Sequence, residues 1–157
     1  MRINRRIVAI LGSFLLSTAV AGAAPAPKGF RDLTWGASPG KHMTSVSAPI
    51  GGDSAMYKPT RGRTPSPLFQ VPVAEEEYSF SKGRFFSASA WIDGKENFAR
   101  IRAALIKAYG QPAAADERKN LRIWKWPDST VEIRLSYDDK FSRATIAYIN
   151  TSMEASK

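Results

Sequence analysis

Gly36-Ala37-Ser38-Pro39-Gly40 has the G-x-S-x-G spacing of a nucleophile elbow. In that device a serine on a sharp turn attacks a carbonyl, and the next backbone N–H binds the oxyanion. Here the next residue is Pro39, which has no N–H to donate. His42 is the single histidine and precedes most candidate acids, against the order serine, acid, histidine that such sites keep. Ser38 to Lys41 and Ser79 to Lys82 both read S-x-x-K, but no S-D-N or K-T-G follows either, and those motifs complete that machinery. Gly36 to Lys41 is one residue short of a phosphate loop and lacks the hydroxyl residue after the lysine.

Glu75 and Glu77 are the remaining acid–base candidates. On a strand they point the same way, about 7 Å apart at the backbone, near the carboxylate separation of an inverting glycosidase. Such a pair must differ in pKa, with one member raised by burial. Glu75-Glu76-Glu77 as a run instead suggests a solvated strand end that deters edge pairing. With no cysteine in the chain and one histidine, a disulfide, a thiol nucleophile and a multi-histidine metal site are all excluded. No catalytic residue, cofactor or metal ligand is assigned, and the chain is expected not to be an enzyme.

The elements that would position any site are clearer. Residues 95–109 form a helix: Phe98, Ile101, Leu105 and Tyr109 draw one apolar stripe, Asp93 and Glu96 suit a capping box, and Gly110 with Pro112 ends it. Residues 75–80 and 84–92 flank Ser81-Lys82-Gly83 as a hairpin, with Gly83 supplying positive φ. Val131, Ile133, Leu135 and Tyr137 alternate with polar residues as a half-buried strand; 121–126 pairs before it and 143–150 after it. Residues 55–58 are one more strand fragment, and Ser38-Pro39 opens a weak helix near 38–47. The order predicts an α+β domain, an antiparallel meandering sheet with two helices on one face and a pseudo-repeat of helix then strands over 30–94 and 95–150. Residues 58–72 hold Pro59, Pro65, Pro67 and Pro72 with Arg61 and Arg63, which predicts a long exposed loop rather than a central strand.

Composition sets the compartment. Arg2, Arg5 and Arg6 precede an apolar stretch over 7–20, and Ala21-Gly22-Ala23 follows. This is the pattern of a cleaved export signal over 1–23, with no lipidated cysteine and no span left after cleavage. Without those residues, 134 remain with 20 basic and 14 acidic side chains, a net charge of +6. A single periplasmic or secreted domain over 24–157 is expected, large enough to be held by burial alone.

Phe30-Arg31-Asp32-Leu33-Thr34-Trp35-Gly36-Ala37-Ser38 resembles the opening of small exported bacterial proteins beginning F-x-x-x-x-W-G-x-S. The Glu77-Tyr78-Ser79-Phe80 strand, the Lys82-Gly83 turn, the Asn97-Phe98 helix start and the Tyr109-Gly110-Gln111-Pro112 ending are similar too. The element order resembles the β-lactamase-inhibitor-like layout of the SmpA/OmlA outer-membrane assembly lipoproteins, which implies a binding or scaffolding module. The expected partner is an envelope protein or an anionic envelope polymer, not nucleic acid. Expected contact residues are Arg61, Arg63 and Phe69 on the loop, and Trp124 and Trp126, which share a strand face beside Arg122. The competing role for both tryptophans is to fill the core. An inhibitor or accessory factor is the specific form of this reading; adhesion to anionic lipid or polysaccharide is the alternative, and a hydrolase a distant third.

Overall fold

The computed structural model describes residues 24–46, 54–60, 62, 64–127 and 129–154. The expected leader over 1–23, together with Arg61 and Arg63, lies outside them. A short hairpin, β1 (Gly29–Phe30) and β2 (Leu33–Thr34), precedes four strands: β3 (Met43–Ser45), β4 (Ser54–Pro59), β5 (Glu75–Ser81) and β6 (Arg84–Asp93). Helix α1 (Lys95–Tyr109) follows, then β7 (Ala114–Asp116), β8 (Leu121–Lys125), β9 (Val131–Asp138), β10 (Arg143–Asn150) and the short helix α2 (Thr151–Glu154). All strands from β3 to β10 form one antiparallel sheet in the order β3-β4-β5-β6-β10-β9-β8-β7. The chain therefore builds one meander, crosses by α1 to the far edge, and meanders back until β10 meets β6.

Local chemistry explains most boundaries. The β5–β6 turn places Lys82 at φ 50° and Gly83 at φ 71°, the pair of positive values a type I′ hairpin requires. α1 runs over the expected residues, with Ile101 and Leu105 buried, and Gly110 at φ 81° donates its N–H to the Ile106 carbonyl at 2.8 Å. Its N-cap is Gly94, not Asp93, and no side chain caps it. Asp93 is taken instead by Arg143, whose Nε donates to it at 2.7 Å.

Alternation along the strands sorts the sheet into two faces. Tyr78 and Phe80, Ala88, Ala90 and Ile92, Ile133 and Leu135, and Ala144 and Ile146 all lie on the helix side and are buried. α1 packs on β6, β9 and β10. The opposite face carries Glu75, Glu77, Ser79, Ser87, Ser89, Trp91, Arg134, Ser136 and Thr145, every one at least part-exposed.

Three expectations need correction. No helix forms over the described part of 38–47: those residues run irregularly into the edge strand β3. Gly40 and the β-branched Thr44 and Val46 disfavour helix, and β4 offers β3 a ladder instead, with Met43 opposite Pro59. What covers the first meander is the N-terminal hairpin and the end of the proline-rich loop. Phe30 packs on Tyr78 (centroids 5.8 Å) and Tyr148 (5.1 Å), and Trp35 stacks on Phe85 at 5.0 Å. Nor is the 58–72 loop wholly exposed, since Val71 is 1% exposed and Leu68 packs against the core.

The glutamate run is also not uniformly solvated. Glu76 points to the core side and is 4% exposed. Arg31, at the tip of the β1–β2 hairpin with φ 54°, donates Nε to Glu76 Oε1 at 2.7 Å. Its Nη2 also bonds Glu76 and the Ser66 carbonyl. Tyr78 donates its hydroxyl to Glu76 Oε2 at 2.8 Å, so hairpin, loop and sheet meet on one carboxylate. Burial, then the neighbouring Glu76 charge, pushes the Tyr78 phenol far above its ordinary pKa. Arg31→Met should cost about 3 kcal/mol, the lower end for breaking a buried pair, because the Arg31 side chain keeps 22% exposure. Arg31→Met with Glu76→Met should recover part of that loss in urea unfolding, since no unpaired charge is left inside although the Tyr78 hydroxyl loses its acceptor.

Candidate functional site

The sequence candidates fall on both sides of the sheet. Trp124 is 2% exposed and donates its indole N–H to the Gly110 carbonyl at 2.9 Å. It is core, sealed under the end of α1, and cannot meet a partner. Trp126 is half-buried, sits edge-on to Tyr109 at 5.5 Å and donates to the Ala24 carbonyl at 2.6 Å. It holds the start of the described chain against the helix side. Phe69 is 41% exposed on a tight turn whose ends, Leu68 and Val71, bridge each other. The structure thus brings none of Phe69, Trp124 and Trp126 together as one surface.

The other motifs resolve into structure. Gly36 donates its N–H to the Phe85 carbonyl, and Phe85 donates back to Ala37, both at 2.8 Å. That exchange fastens the Ser38 stretch beside the start of β6. His42 is exposed and lines a cavity of about 330 Å³ with Phe30, Arg31, Met43 and Tyr78. The Arg31 head in this cavity is already taken by Glu76 and by the Ser66 and Pro67 carbonyls. Glu75 and Glu77 share the open face, and Glu75 is held by Lys58 (3.4 Å) and Arg143 (3.5 Å). Among the described residues, no cluster of three or more His, Asp or Glu is placed to hold a metal ion.

A different group converges on the open face, at the end where β9 turns into β10. Trp91 stands opposite Glu75 on one side and Thr145 on the other. Thr145 in turn faces Ser136. Trp91, Phe141, Arg143 and Thr145 line one depression of about 460 Å³. A second, of about 490 Å³, shares Asp138, Arg143 and Thr145 with it and adds Arg118, Lys119 and Lys140. Phe141 is 68% exposed, the most of the large exposed apolar side chains, and the Lys140 ammonium lies 5.3 Å from its ring centre.

The turn presenting Phe141 is built, not loose. Asp138 Oδ1 accepts the backbone N–H of Lys140 at 2.9 Å and of Phe141 at 3.2 Å. Gly94 donates its N–H to the Ser142 carbonyl at 2.8 Å, tying the turn to the start of α1. Arg143 is fixed by Asp93 and Glu75, and Asp93, its strongest partner, pushes its pKa up further. Asp139 accepts from Asn120 at 3.2 Å. Of the four cations in the lining, Arg143 and Lys119 are ion-paired; Arg118 and Lys140 stand beside Asp138 and Asp139, whose oxygens accept from N–H groups. Two aromatics lining one depression can stack on a ring, and the Arg118 and Lys140 heads beside them can meet an anion.

No family model, curated protein or solved structure matches the chain. Among the described residues, no helix is long and apolar enough to cross a membrane.

Sequence reasoning missed this patch, although one signal was present. Ser87, Ser89 and Trp91 share a parity that Ala88, Ala90 and Ile92 do not, so a tryptophan stands on the polar side of β6. Farther along the same face, Glu132 receives Lys125 at 2.7 Å and Arg134 at 2.8 Å. Burial alone pushes its carboxyl pKa up, but these two bonds outweigh it and hold the pKa below the ordinary value. A depressed carboxylate stabilises the fold above its unfolded pKa, about 4.3, and loses that contribution as pH falls through the folded value. Glu132→Gln should therefore lower the denaturation midpoint at pH 7, with the gap to wild type closing below about pH 4.

Proposed function

We propose that this protein is an exported, non-catalytic binding module that recognises an envelope protein or other envelope component, as an inhibitor or accessory factor. The observation that carries it is Trp91 with Phe141, two large aromatics on the face turned away from the core and beside a cationic turn. Aromatic residues and arginine on a rigid surface are the usual anchors of recognition. Export rests on the basic, apolar and small-residue pattern of 1–23. The contact surface of this reading is Trp91, Phe141, Arg143 and Lys140, in place of Trp124 and Trp126. The loop with Phe69 stays a secondary surface. Adhesion to anionic lipid or polysaccharide is the second reading, favoured by the +6 charge of 24–157.

Residues 24–157 contain every described element and are the form to immobilise. Envelope extract passed over them should leave material bound through a high-salt wash. Trp91→Ala with Phe141→Ser should cut that retention about tenfold, the loss of a hot spot near 1.4 kcal/mol, whereas Phe69→Ala should change it little. Equal retention by wild type and the double variant would remove the open face from the reading. No retention at all would remove the module reading itself.

A further inference from the structure

Resting on that reading, we infer that the open face binds an acidic glycan, with a sugar ring on Trp91 and its anionic groups against Lys140 and Arg118. Three features of the face support this class. The first is its texture. Ser79 faces Ser87, Thr145 faces Ser136, and Ser89 lies one step along β6 between Ser87 and Trp91. Around Trp91 the surface is thus rich in hydroxyls, with Glu75 directly opposite Trp91, held by Lys58 and Arg143, and Glu77 opposite Ser89. A protein partner gains mainly from a broad desolvated apolar centre, whereas here the apolar area is limited to Trp91 and Phe141. A sugar chain gains from hydroxyl partners on every ring and from one apolar ring face laid on an indole.

The second feature is the placement of charge. Arg143 is committed to Asp93 and Glu75, and Lys119 comes within 4.0 Å of Asp116. Among the described residues, Arg118 and Lys140 have no carboxylate partner, and both line the depression next to Trp91's. These two cations, with Asp138 and Asp139 between them in the same lining, lie at the rim of the aromatic site rather than inside it, where an acid group projecting from a stacked ring would reach. Separated like charges of this kind attract polyanions with a strong salt dependence.

The third feature is preorganisation. Trp91 lies on a central strand paired on both sides, and the Phe141 turn is fixed by Asp138. Little ordering is left to be lost when a ligand arrives, which favours binding to a flat, polar chain. An unstructured basic tail would have charge but no such platform.

Three probes test this on residues 24–157: polygalacturonate, poly-L-glutamate with a matched carboxylate per residue, and uncharged dextran. Polygalacturonate should bind at least tenfold more tightly than poly-L-glutamate at equal ionic strength, and dextran should not bind measurably. Trp91→Ala should bring polygalacturonate down to the poly-L-glutamate level. Phe141→Ser, at an exposed turn position that cannot disturb the core, should weaken it severalfold. Lys140→Glu should weaken both polyanions together. Equal binding of the two polyanions would overturn the glycan class in favour of charge alone. Binding of dextran as tightly as polygalacturonate would overturn the role of charge. If no probe binds while envelope capture persists and is destroyed by protease treatment of the extract, the ligand is a protein. In that case the glycan inference falls and the module reading stands. Loss of envelope capture as well would remove both.

Discussion

The pairing of β6 with β10 is the constraint from which the rest of the architecture follows. Residues 87–93 meet residues 143–149 in seven antiparallel pairs, from Asp93 opposite Arg143 to Ser87 opposite Ile149, a contact between segments 50 to 62 residues apart in the chain. Each of the two strands must then carry its own meander outward. Antiparallel partners joined by no hairpin leave the chain to travel from the centre of the sheet to its far edge, and α1 makes that journey. A helix crossing over the sheet has to bury its apolar stripe somewhere, so it covers one face and leaves the other to solvent. The open face that carries Trp91 is thus a consequence of topology. It is not an accident of an incomplete core.

α1 covers β6, β9 and β10, so the first meander needs a second lid. That lid is improvised from non-helical chain: Phe30 and Trp35 from the N-terminal hairpin, Leu68 and Val71 from the proline-rich loop. Such segments bring unsatisfied backbone carbonyls with them, and Arg31 meets that need. Its guanidinium bonds Glu76 and two loop carbonyls at once. A carboxylate placed on the core side would be costly alone; paired, it becomes the point that registers hairpin and loop on the sheet. Indole N–H groups do the same for residues 24–27, with Trp35 donating to Pro27 at 2.8 Å and Trp126 to Ala24.

Much of this was legible from local pattern. The strands at 75–81, 84–93, 131–138 and 143–150 and the helix at 95–109 follow from periodicity and punctuation. Strong alternation and a Gly-Gln-Pro stop leave few competing solutions. The elements that were not legible are short: β1, β2, β3 and β7 have two or three residues each. Too few side chains exist in them to show a period, and they are strands only because a neighbour offers a ladder. The same reason defeats the helix over 38–47. The tryptophans show a different limit: strand parity separates faces but does not say which face the helix will cover.

By itself, then, the sequence determined the strong elements, the antiparallel class and the basic surplus, because each is written in neighbouring residues. Tertiary structure decided which of the exposed-looking residues are exposed. Glu76 sits in an acidic run and is buried; Trp124 and Trp91 both sit on strands, yet one is core and the other faces solvent. Those assignments depend on Arg31 arriving from forty-five residues away and on the side to which α1 crosses. Both are long-range placements that no local pattern encodes, so the candidate site could be seen only once the sheet had closed around β6 and β10.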